Sequence, residues 1–386
     1  MTSRTQRHVV VFHPEGNADN NPVLHAWLQS LQRAGYRLTV IARTREHQHE
    51  SDIYKLRDYG RWYSKLFRIL VDRLGTIALA KLVTLARFPD LLLRKHACVV
   101  GVDRHGLVQA WSAKGRRRLG FLSFEIEFED EVGKVKKSCE RRAARDVDWW
   151  MSQDEMRASI LIEQNQLRSD NYVVTPVAPS GRPPKTEARL RDDLGIPRDV
   201  RVVMSMGSLA RWTKIPEILE SVNQWPDGWV LLVHERYSNT ESALRALSPD
   251  FQRANNKIFL SSHRAVSPDD LAYVLAGIDC GLAFYQEEPN HPLLGKNLRF
   301  MGRSSGKVAT FARHAVPVVT NLTAPVSDDI FRYNAGCRCE SPADLPKVLS
   351  SLDTHASATG AQAYFDEVLD FDLSRESLLR LLEPNA

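Results

Sequence analysis

Several features that would place this chain in a specialised class are missing from its sequence. No apolar run reaches the roughly 20 residues that a membrane-spanning helix needs. The polar, basic stretch from Met1 to His8 lacks the apolar core of a signal peptide, so we expect a cytoplasmic protein. The 5 cysteines are scattered and odd in number, which indicates neither a disulfide framework nor a clustered metal site.

Two nucleotide-binding motifs are also absent. No G-x-G-x-x-G follows the first predicted strand, which argues against a dinucleotide-dependent oxidoreductase. The glycines Gly302 and Gly306 stand one residue too close together for a P-loop. Val308 follows Lys307 where a P-loop has the Ser or Thr that binds Mg²⁺. No RNA-binding signature accompanies the basic segments, so we expect no nucleic-acid partner.

The composition is that of a soluble globular protein large enough for two domains. The chain has 386 residues, of which 43% are hydrophobic and 26% are charged. That length allows two hydrophobic cores, one for each domain. The formal net charge of +5 favours anionic partners such as nucleotides or a phospholipid surface.

The element pattern at both ends of the chain predicts an α/β fold. Apolar strands at 8–13 and 36–42 flank a helix at 23–34, which is the opening of a doubly wound domain. A second such unit starts with a strand at 200–205 and continues through a loop into a helix at 215–223. The segment 178–189 between them is rich in proline and reads as a linker.

The stretch Ser304-Ser305-Gly306-Lys307 is the most informative part of the sequence. Either serine is a good N-cap for a helix that starts near Gly306. The free N–H groups and positive dipole end of that helix, next to the Lys307 ammonium, form a site for a phosphate or diphosphate. The alternative is an ordinary capped helix without a ligand.

This stretch, its helix and the following Pro317-Val318-Val319 resemble the donor-binding segment of GT-B glycosyltransferases, notably bacterial family 4 (group 1) enzymes. The resemblance implies two Rossmann-like doubly wound domains facing across a cleft. It assigns 1–178 to an acceptor domain, on which 366–386 packs back, and 190–365 to a nucleotide-sugar domain. One departure is clear: Gly302 and Thr310 stand where retaining members of the family carry two glutamates.

The same resemblance implies the donor site. In the family, a basic pair near the loop glycine, here Gly207, grips the donor diphosphate. Lys214 falls at the position of the family lysine, and Arg211 substitutes for the family arginine, whose position Ser208 occupies. Such cations stabilise the charge that develops on the leaving diphosphate without a metal. The nucleotide-binding set that the resemblance implies comprises Gly207, Ser208, His234, Glu235, Ser304, Ser305, Gly306 and Lys307, and no cofactor is expected.

Three carboxylates are candidates for a general base or for metal ligands. Glu125 lies at the end of a predicted strand that begins at Leu119, where we expect a general base within reach of the acceptor hydroxyl. Its alternative role is that of a structural cap or ion-pair partner. Asp146-Val147-Asp148 spells the D-x-D of metal-dependent glycosyltransferases. It precedes a buried strand instead of following one, so we expect no metal there.

The segment 54–96 is predicted to be largely helical and strongly basic, with interleaved aromatic residues. Such a composition is typical of a helix that lies on an anionic membrane surface, and the alternative is a solvated face on a packed helix. A peripheral position at the inner face of the cell membrane would suit a lipid-linked acceptor.

These observations favour a metal-independent enzyme that transfers a hexosyl or related sugar. The donor is a nucleotide-diphosphate sugar, and the acceptor is a glycan or lipid-linked molecule of bacterial surface polysaccharide synthesis. A nucleotide-sugar epimerase or a phosphorylase would share the fold. A non-catalytic nucleotide-sugar or glycan-binding protein also remains open, because the two family glutamates are missing.

Overall fold

The structure, a computed structural model, describes residues 7–14, 21–42, 52–89, 98–235, 240–248, 257–263 and 267–383. It divides into two compact units. Unit 1 contains the described residues through Thr175 together with Pro289–Phe300 and 371–383, and unit 2 contains Pro176–Glu288 and Met301–Asp370. Within the described part of the chain, no helix is both long and apolar enough to cross a membrane.

Each unit is built on one parallel sheet. In unit 1 the strand order is β3-β2-β1-β4-β5-β6-β7, and in unit 2 it is β10-β9-β8-β11-β12-β13. The strands are β1 His8–His13, β2 Arg37–Ala42, β3 Lys55–Asp58, β4 Cys98–Val102, β5 Arg118–Leu122, β6 Trp149–Ser152, β7 Tyr172–Val174, β8 Arg201–Met206, β9 Trp229–His234, β10 Ile258–Ser261, β11 Cys280–Ala283, β12 Val318–Thr320 and β13 Gly336–Arg338.

Helices connect the strands, as parallel pairing requires. They are α1 Pro22–Arg33, α2 Arg61–Arg68, α3 Ile77–Arg87, α4 Asp103–Ala113, α5 Glu129–Val132, α6 Lys134–Ala144, α7 Glu155–Asn165, α8 Leu190–Asp193, α9 Ile215–Ser221, α10 Thr240–Leu247, α11 Leu271–Leu275, α12 Lys296–Arg299, α13 Gly306–Arg313, α14 Val326–Tyr333, α15 Leu345–Ser351, α16 Thr354–Tyr364 and α17 Asp372–Arg380.

The central strands read as continuous apolar runs because helices cover both sheet faces. All six residues of β1 are buried, and so are all six of β9. In unit 1 the core includes Phe12, Phe121 and Trp150, and in unit 2 it includes Leu231 and Phe284. The predicted α/β class with two doubly wound sheets is therefore confirmed.

The basic segment of unit 1 is less helical than its composition predicts. Lys55–Asp58 is the edge strand β3, and α2 runs through a π turn, Ile69–Arg73, before α3 begins. An edge strand needs no apolar run, because one side of its backbone faces no further strand. Residues 90–96 of this segment lie outside the described residues, as do 15–20 of the loop after β1.

One further prediction about local structure was wrong. The strand expected to carry Glu125 at its end stops at Leu122. Glu125 therefore lies in the loop that follows β5, three residues beyond the strand.

Candidate functional site

The sheet of unit 2 has a topological switch point between β8 and β11. From β8 the chain first adds β9 and β10 on one side and then β11, β12 and β13 on the other. All pairings are parallel, so the carboxyl ends of β8, β9 and β11 share one sheet edge. In open α/β sheets, ligands bind outside the carboxyl ends of the strands at this point.

Gly207 begins the loop after β8 and closes tightly on the neighbouring strand. Its backbone N–H donates to the carbonyl of His234 at 3.1 Å, and its φ is +91. A Cβ built on Gly207 would lie 3.3 Å from Cε of Lys307. The left-handed backbone favours glycine here, and a Cβ would have to displace the end of the Lys307 side chain slightly.

The helix that carries Lys307 begins as the sequence predicts. Ser305 is the N-cap of α13, with its Oγ accepting the backbone N–H of Val308 at 3.4 Å. The hydroxyl groups of Ser305 and Tyr285 share a hydrogen bond of 2.7 Å. Ser304 closes a 3₁₀ turn, Gly302–Ser304, just before the cap. This anchors the start of α13 to the end of β11.

The Lys307 side chain lies beside two aromatic rings. Its Nζ is 5.7 Å from the ring centre of Trp212 and 5.6 Å from that of Tyr285. These rings stack with centres 6.0 Å apart and an angle of 19°. Burial lowers the pKa of Lys307 to about 8, although the charge of Glu235 opposes this shift. Among the described residues, no carboxylate forms an ion pair with this ammonium, so its charge is available to an anion.

The loop after Gly207 holds the two other predicted cations. Arg211 is exposed in the turn Arg211–Thr213, and the carbonyl of Trp212 accepts the N–H of Gln286 at 2.8 Å. Lys214 has a left-handed backbone, with φ 53 and ψ 30, which is strained for a lysine. Among the described residues, its ammonium has no hydrogen-bond or ion-pair partner.

His234 is the last residue of β9 and Glu235 follows it, at the same edge. The His234 ring is buried, and its Nδ1 lies 3.2 Å from Oγ of Ser261, so this residue reaches the Gly207 loop through its carbonyl. The Glu235 side chain reaches the same loop, where Oε2 accepts the backbone N–H of Leu209 at 3.1 Å. Ser208, by contrast, is exposed on the loop.

The structure brings together one part of the predicted donor set. Lys307 lies so near Gly207 that a Cβ at that position would meet its Cε, and Glu235 is close enough to Lys307 to influence its pKa. Contacts of Arg211, Lys214 and Ser208 with Lys307 are not among those that the structure shows. Sequence reasoning missed the Trp212–Tyr285 pair, whose members are far apart in the chain. An aromatic residue in each of two strand-end loops was the available signal.

In unit 1 the loop that contains Glu125 is fixed from two sides. Oδ1 of Asp103 accepts the backbone N–H groups of Phe124 at 2.7 Å and Glu125 at 2.9 Å. The amide of Asn297 accepts the N–H of Ile126 at 2.9 Å through Oδ1 and donates from Nδ2 to Oε2 of Glu125. The Glu125 side chain nevertheless stays exposed, so the network orients a carboxylate that solvent reaches.

The buried guanidinium of Arg157 forms hydrogen bonds with the loop that contains Glu125. Arg157 is 0% exposed and donates to Oε1 of Gln153 at 2.7 Å, to the carbonyls of Phe300 at 2.7 Å and Phe124 at 2.8 Å, and to Oδ1 of Asn297 at 3.2 Å. Burial lowers the pKa of Arg157, while the charges of Glu125 and two aspartates oppose the shift. Residues 289–300 thus become part of unit 1.

A second charged network lies at the start of α4. Arg104 pairs with Asp72 at 2.6 Å and with Glu127 at 2.7 Å, and Nε2 of His105 is 3.1 Å from Asp72. Burial raises the pKa of Asp72, but hydrogen bonds from His105 and Arg104 outweigh it and hold the pKa well below its usual range. These pairs tie the π turn of the basic segment to α4.

Both aspartates of the D-x-D sequence make structural hydrogen bonds. Oδ2 of Asp148 accepts the backbone N–H of Leu119 at 2.7 Å. Oδ2 of Asp146 accepts the indole N–H of Trp111 at 2.8 Å. Their positions thus have a structural explanation, and the absence of a metal requirement stays a prediction.

No protein-family model matches this chain, and no curated protein sequence matches it significantly. The fold, however, is that of solved GT-B glycosyltransferases. Sucrose-phosphate synthase from Thermosynechococcus elongatus superposes with a TM-score of 0.69 over 97% of this chain and 98% of that one, at 11% identity. Anabaena HepE in complex with UDP and glucose superposes with a TM-score of 0.67 over 98% of this chain and 99% of its own, at 13% identity.

A third similar structure is WaaG, a glycosyltransferase involved in lipopolysaccharide biosynthesis. It has a TM-score of 0.66 with 13% identity and covers 98% of this chain and 100% of its own. The resemblance to GT-B glycosyltransferases that the sequence showed is confirmed at the level of fold.

Proposed function

We propose that this protein is a glycosyltransferase that moves a sugar from a nucleotide-diphosphate sugar to an acceptor. The observation that carries the proposal is the Lys307 ammonium. It lies at the start of α13, at the switch point of unit 2, without a carboxylate partner among the described residues. HepE, which shares the fold, was solved with UDP-glucose, and this supports a donor of the same class.

In this proposal the donor diphosphate binds to Lys307 and to the backbone N–H groups at the start of α13. Arg211 and Lys214 supply further positive charge from the loop after β8. As the bond between sugar and diphosphate breaks, negative charge grows on the leaving group, and fixed cations stabilise it without a metal ion. The nucleotide-sugar domain expected at 190–365 then corresponds to unit 2, apart from 289–300, and the acceptor domain expected at 1–178 with 366–386 corresponds to unit 1, apart from 176–178 and 366–370.

Glu125 is the general base of the proposal. Its carboxylate is exposed, and its orientation is set by Asp103 and Asn297. It would accept the proton of the acceptor hydroxyl as that oxygen attacks the sugar. Because two neighbours already fix the loop, little reorganisation would be needed at the moment of reaction.

The test of the donor site is a binding titration with nucleoside diphosphates. Lys307→Ala and Lys214→Ala should each weaken binding by about tenfold or more, because each removes a charged partner of the diphosphate. The exposed Lys347 on α15 supplies the matched control, and Lys347→Ala should bind as the wild type does. Unchanged affinity in both site variants would contradict the donor site.

Turnover separates this proposal from its alternatives. A transferase consumes the nucleotide sugar only when an acceptor is present, whereas an epimerase changes the donor without one. A phosphorylase that contains pyridoxal phosphate would show the absorbance of that group. A binding protein would retain the sugar without releasing a nucleoside diphosphate, even after the acceptor is added.

We further propose that the enzyme works in the cytoplasm at the inner face of the membrane, on a glycan or lipid-linked acceptor of surface polysaccharide synthesis. The support is an exposed face on α2 and α3. Trp62 is 75% exposed and Leu82 is 61% exposed. The exposed cations of the two helices and their connection are Arg61, Lys65, Arg68, Arg73, Lys81 and Arg87.

Charge and apolar side chains on one segment suit an anionic bilayer, since each cation near the surface contributes about 1 kcal/mol. The one acidic residue of 61–87, Asp72, is paired with Arg104 and does not cancel this charge. Flotation with anionic liposomes tests the surface. The wild type should float, and the triple variant Arg61→Glu/Lys65→Glu/Arg68→Glu should not. If the wild type and the triple variant float equally, the proposed binding of this surface to the membrane is contradicted.

A further inference from the structure

The Lys307 ammonium occupies a place that disfavours its charge. Lys307 is the second residue of α13, and the start of a helix carries the positive end of the helix dipole. Burial acts in the same direction and lowers the pKa of Lys307 to about 8. Glu235 opposes this shift through its charge, but no ion pair joins Lys307 to a carboxylate among the described residues. A buried cation in such a position needs a further favourable contact to stay charged.

Two aromatic rings supply this contact. The Nζ of Lys307 lies over the ring of Trp212, 5.7 Å from its centre, and over the ring of Tyr285, 5.6 Å from its centre. Both distances are within the roughly 6 Å over which the negative face of an aromatic ring attracts a cation. Tryptophan gives the strongest attraction of this kind, and loss of water around the cation increases it. The two ring faces therefore favour the ammonium over the neutral amine.

Hydrogen bonds hold the Tyr285 ring in place. The side chain of Asn321 accepts the backbone N–H of Tyr285 at 2.9 Å and donates to its carbonyl at 2.7 Å. The phenol hydroxyl shares a hydrogen bond of 2.7 Å with Ser305, the N-cap of α13. The ring that faces Lys307 is thus attached to the helix start that carries Lys307.

Trp212 is held by the chain that follows β11. Its carbonyl accepts the backbone N–H of Gln286, the residue after Tyr285, at 2.8 Å. The two rings stack with an angle of 19° between their planes and centres 6.0 Å apart. The loop after β8 and the end of β11 are thereby joined beside the ammonium. Groups that are already ordered lose little conformational entropy when a ligand binds.

An uncharged partner suits a cation that has to bind an anion. A carboxylate paired with Lys307 would repel the phosphates, and they would have to displace it. An aromatic face carries no net charge, so it stabilises the ammonium without repelling an incoming phosphate. Burial raises the pKa of Tyr285 to about 12, so its phenol also stays neutral near physiological pH.

We propose that Trp212 and Tyr285 are positioning residues of the donor site, whose ring faces hold the Lys307 ammonium charged and in place for the donor diphosphate. The rings act through Lys307. Their role in donor binding rests on the proposed function. Their attraction for the ammonium is a property of the free protein, so it can be measured without a nucleotide.

Fluorinated tryptophan at position 212 of the full chain tests the attraction with little change of shape. Each fluorine atom withdraws electrons from the indole face and weakens its hold on a cation. The pKa of Lys307 is measured by NMR on protein with ¹³C at the lysine Cε, and Lys307→Arg identifies the signal. From zero to three fluorine atoms, this pKa should fall stepwise by about one in total. An unchanged pKa would overturn the proposal.

Two matched controls separate the ring face from other effects. Fluorination of Trp225, which is buried in unit 2 with its indole N–H bonded to Ser221, should leave the pKa of Lys307 unchanged. Tyr285→Phe keeps the ring face and removes only the hydroxyl that bonds to Ser305, so it should also keep this pKa. A fall in either control as large as that at position 212 would contradict the role of the ring faces.

Titration at pH 8 with the tightest ligand among UDP, GDP, ADP, CDP and TDP tests the role in donor binding. If the pKa of Lys307 falls by about one from its value of about 8, the charged fraction at pH 8 falls about fivefold. The nucleotide affinity should fall by the same factor. At pH 6, where every fluorinated protein keeps the ammonium, the affinities should be equal.

The two measurements distinguish failure of this inference from failure of the proposed function. An affinity that does not follow the charged fraction of Lys307 would overturn the role of the rings in donor binding. If no nucleoside diphosphate binds the wild type, the proposed function fails and that role fails with it. The NMR titration decides in either case whether the rings hold the charge.

Discussion

The two units have sheets of the same strand order but opposite chemistry at their carboxyl edges. In unit 1 the polar groups there are bonded to one another: Asp103 holds the Glu125 loop, and Arg157 and Asn297 complete the network. In unit 2 the Lys307 ammonium has two aromatic rings beside it but no ion-pair partner among the described residues. A satisfied network positions a group, whereas an unpaired cation is ready for a ligand.

This difference shows how little the strand order determines by itself. Both sheets contain the 3-2-1-4-5-6 order, which provides an edge where loops can meet. What each edge can do depends on the few loop residues placed there. In the proposed function the acceptor chemistry belongs to unit 1 and the donor to unit 2, and separate experiments can test each of these two placements.

The largest expected effect is the loss of transfer rate when the Glu125 carboxylate of unit 1 is removed. Glu125→Gln should lower the rate of sugar transfer by about 10²–10⁴-fold, the typical contribution of a general base. Binding of the nucleoside diphosphate should not change, since the proposed donor site is in unit 2. The assay is a steady-state rate paired with a binding titration. Glu163→Gln, at an exposed carboxylate on α7, is the control and should keep the wild-type rate. If Glu125→Gln also keeps that rate, Glu125 is not the general base.

The next effect is on the stability of unit 1. Arg157→Met removes a buried guanidinium and leaves the carbonyls of Phe124 and Phe300 without their donor. Stranded buried acceptors cost about 1–3 kcal/mol each, so we expect a loss of about 3 kcal/mol or more in urea unfolding. Arg168→Met, at an exposed ion pair, should cost less than about 1 kcal/mol. Equal losses in both variants would mean that the network is not structural.

A third effect concerns the pH dependence of nucleotide binding to unit 2. The pKa of Lys307 is lowered by burial to about 8, and a diphosphate prefers the protonated form. Raising the pH from 7 to 9 neutralises most of this ammonium in the free protein, so affinity should fall by about tenfold. Lys307→Arg should remove this dependence, because arginine stays charged. A wild-type affinity that is constant over this range would contradict the role of Lys307.

The smallest effect comes from the glycine that adjoins Lys307. Gly207→Ala should cost about 1 kcal/mol of stability, because its φ is +91, and should also weaken nucleotide binding by displacing Lys307. Gly195→Ala is the matched control. Gly195 has a φ of +66 and open space around its Cβ position, so the stability loss should be similar but nucleotide affinity should stay unchanged. Equal affinities in both variants would show that the close approach is unimportant.

Local patterns predicted the parts of the fold and site that depend on neighbours in the chain. The cap at Ser305 and the start of α13 at Gly306 follow from a few adjacent residues, and the buried strands β1 and β9 follow from their apolar runs. The edge strand β3 was missed because Lys55–Asp58 has no apolar pattern and owes its conformation to pairing with β2.

Contacts between distant residues escaped prediction for a different reason. Arg157 meets Asn297 across 140 positions, and Trp212 stacks on Tyr285 from another loop. Nothing in the local sequence of either partner indicates the other. Glu125, the proposed general base, is predicted from its local sequence to lie at a strand end. It instead occupies a loop that Asp103 and Asn297 hold in place.

Hydrogen–deuterium exchange, with and without a saturating nucleoside diphosphate, locates the nucleotide site without relying on activity. We expect slower exchange of backbone N–H groups at 207–214 and 304–309 in unit 2. Exchange at 103–107 and 123–127 in unit 1 should not change. Protection confined to unit 1, or binding without protection at either unit 2 segment, would contradict the assignment of the donor site.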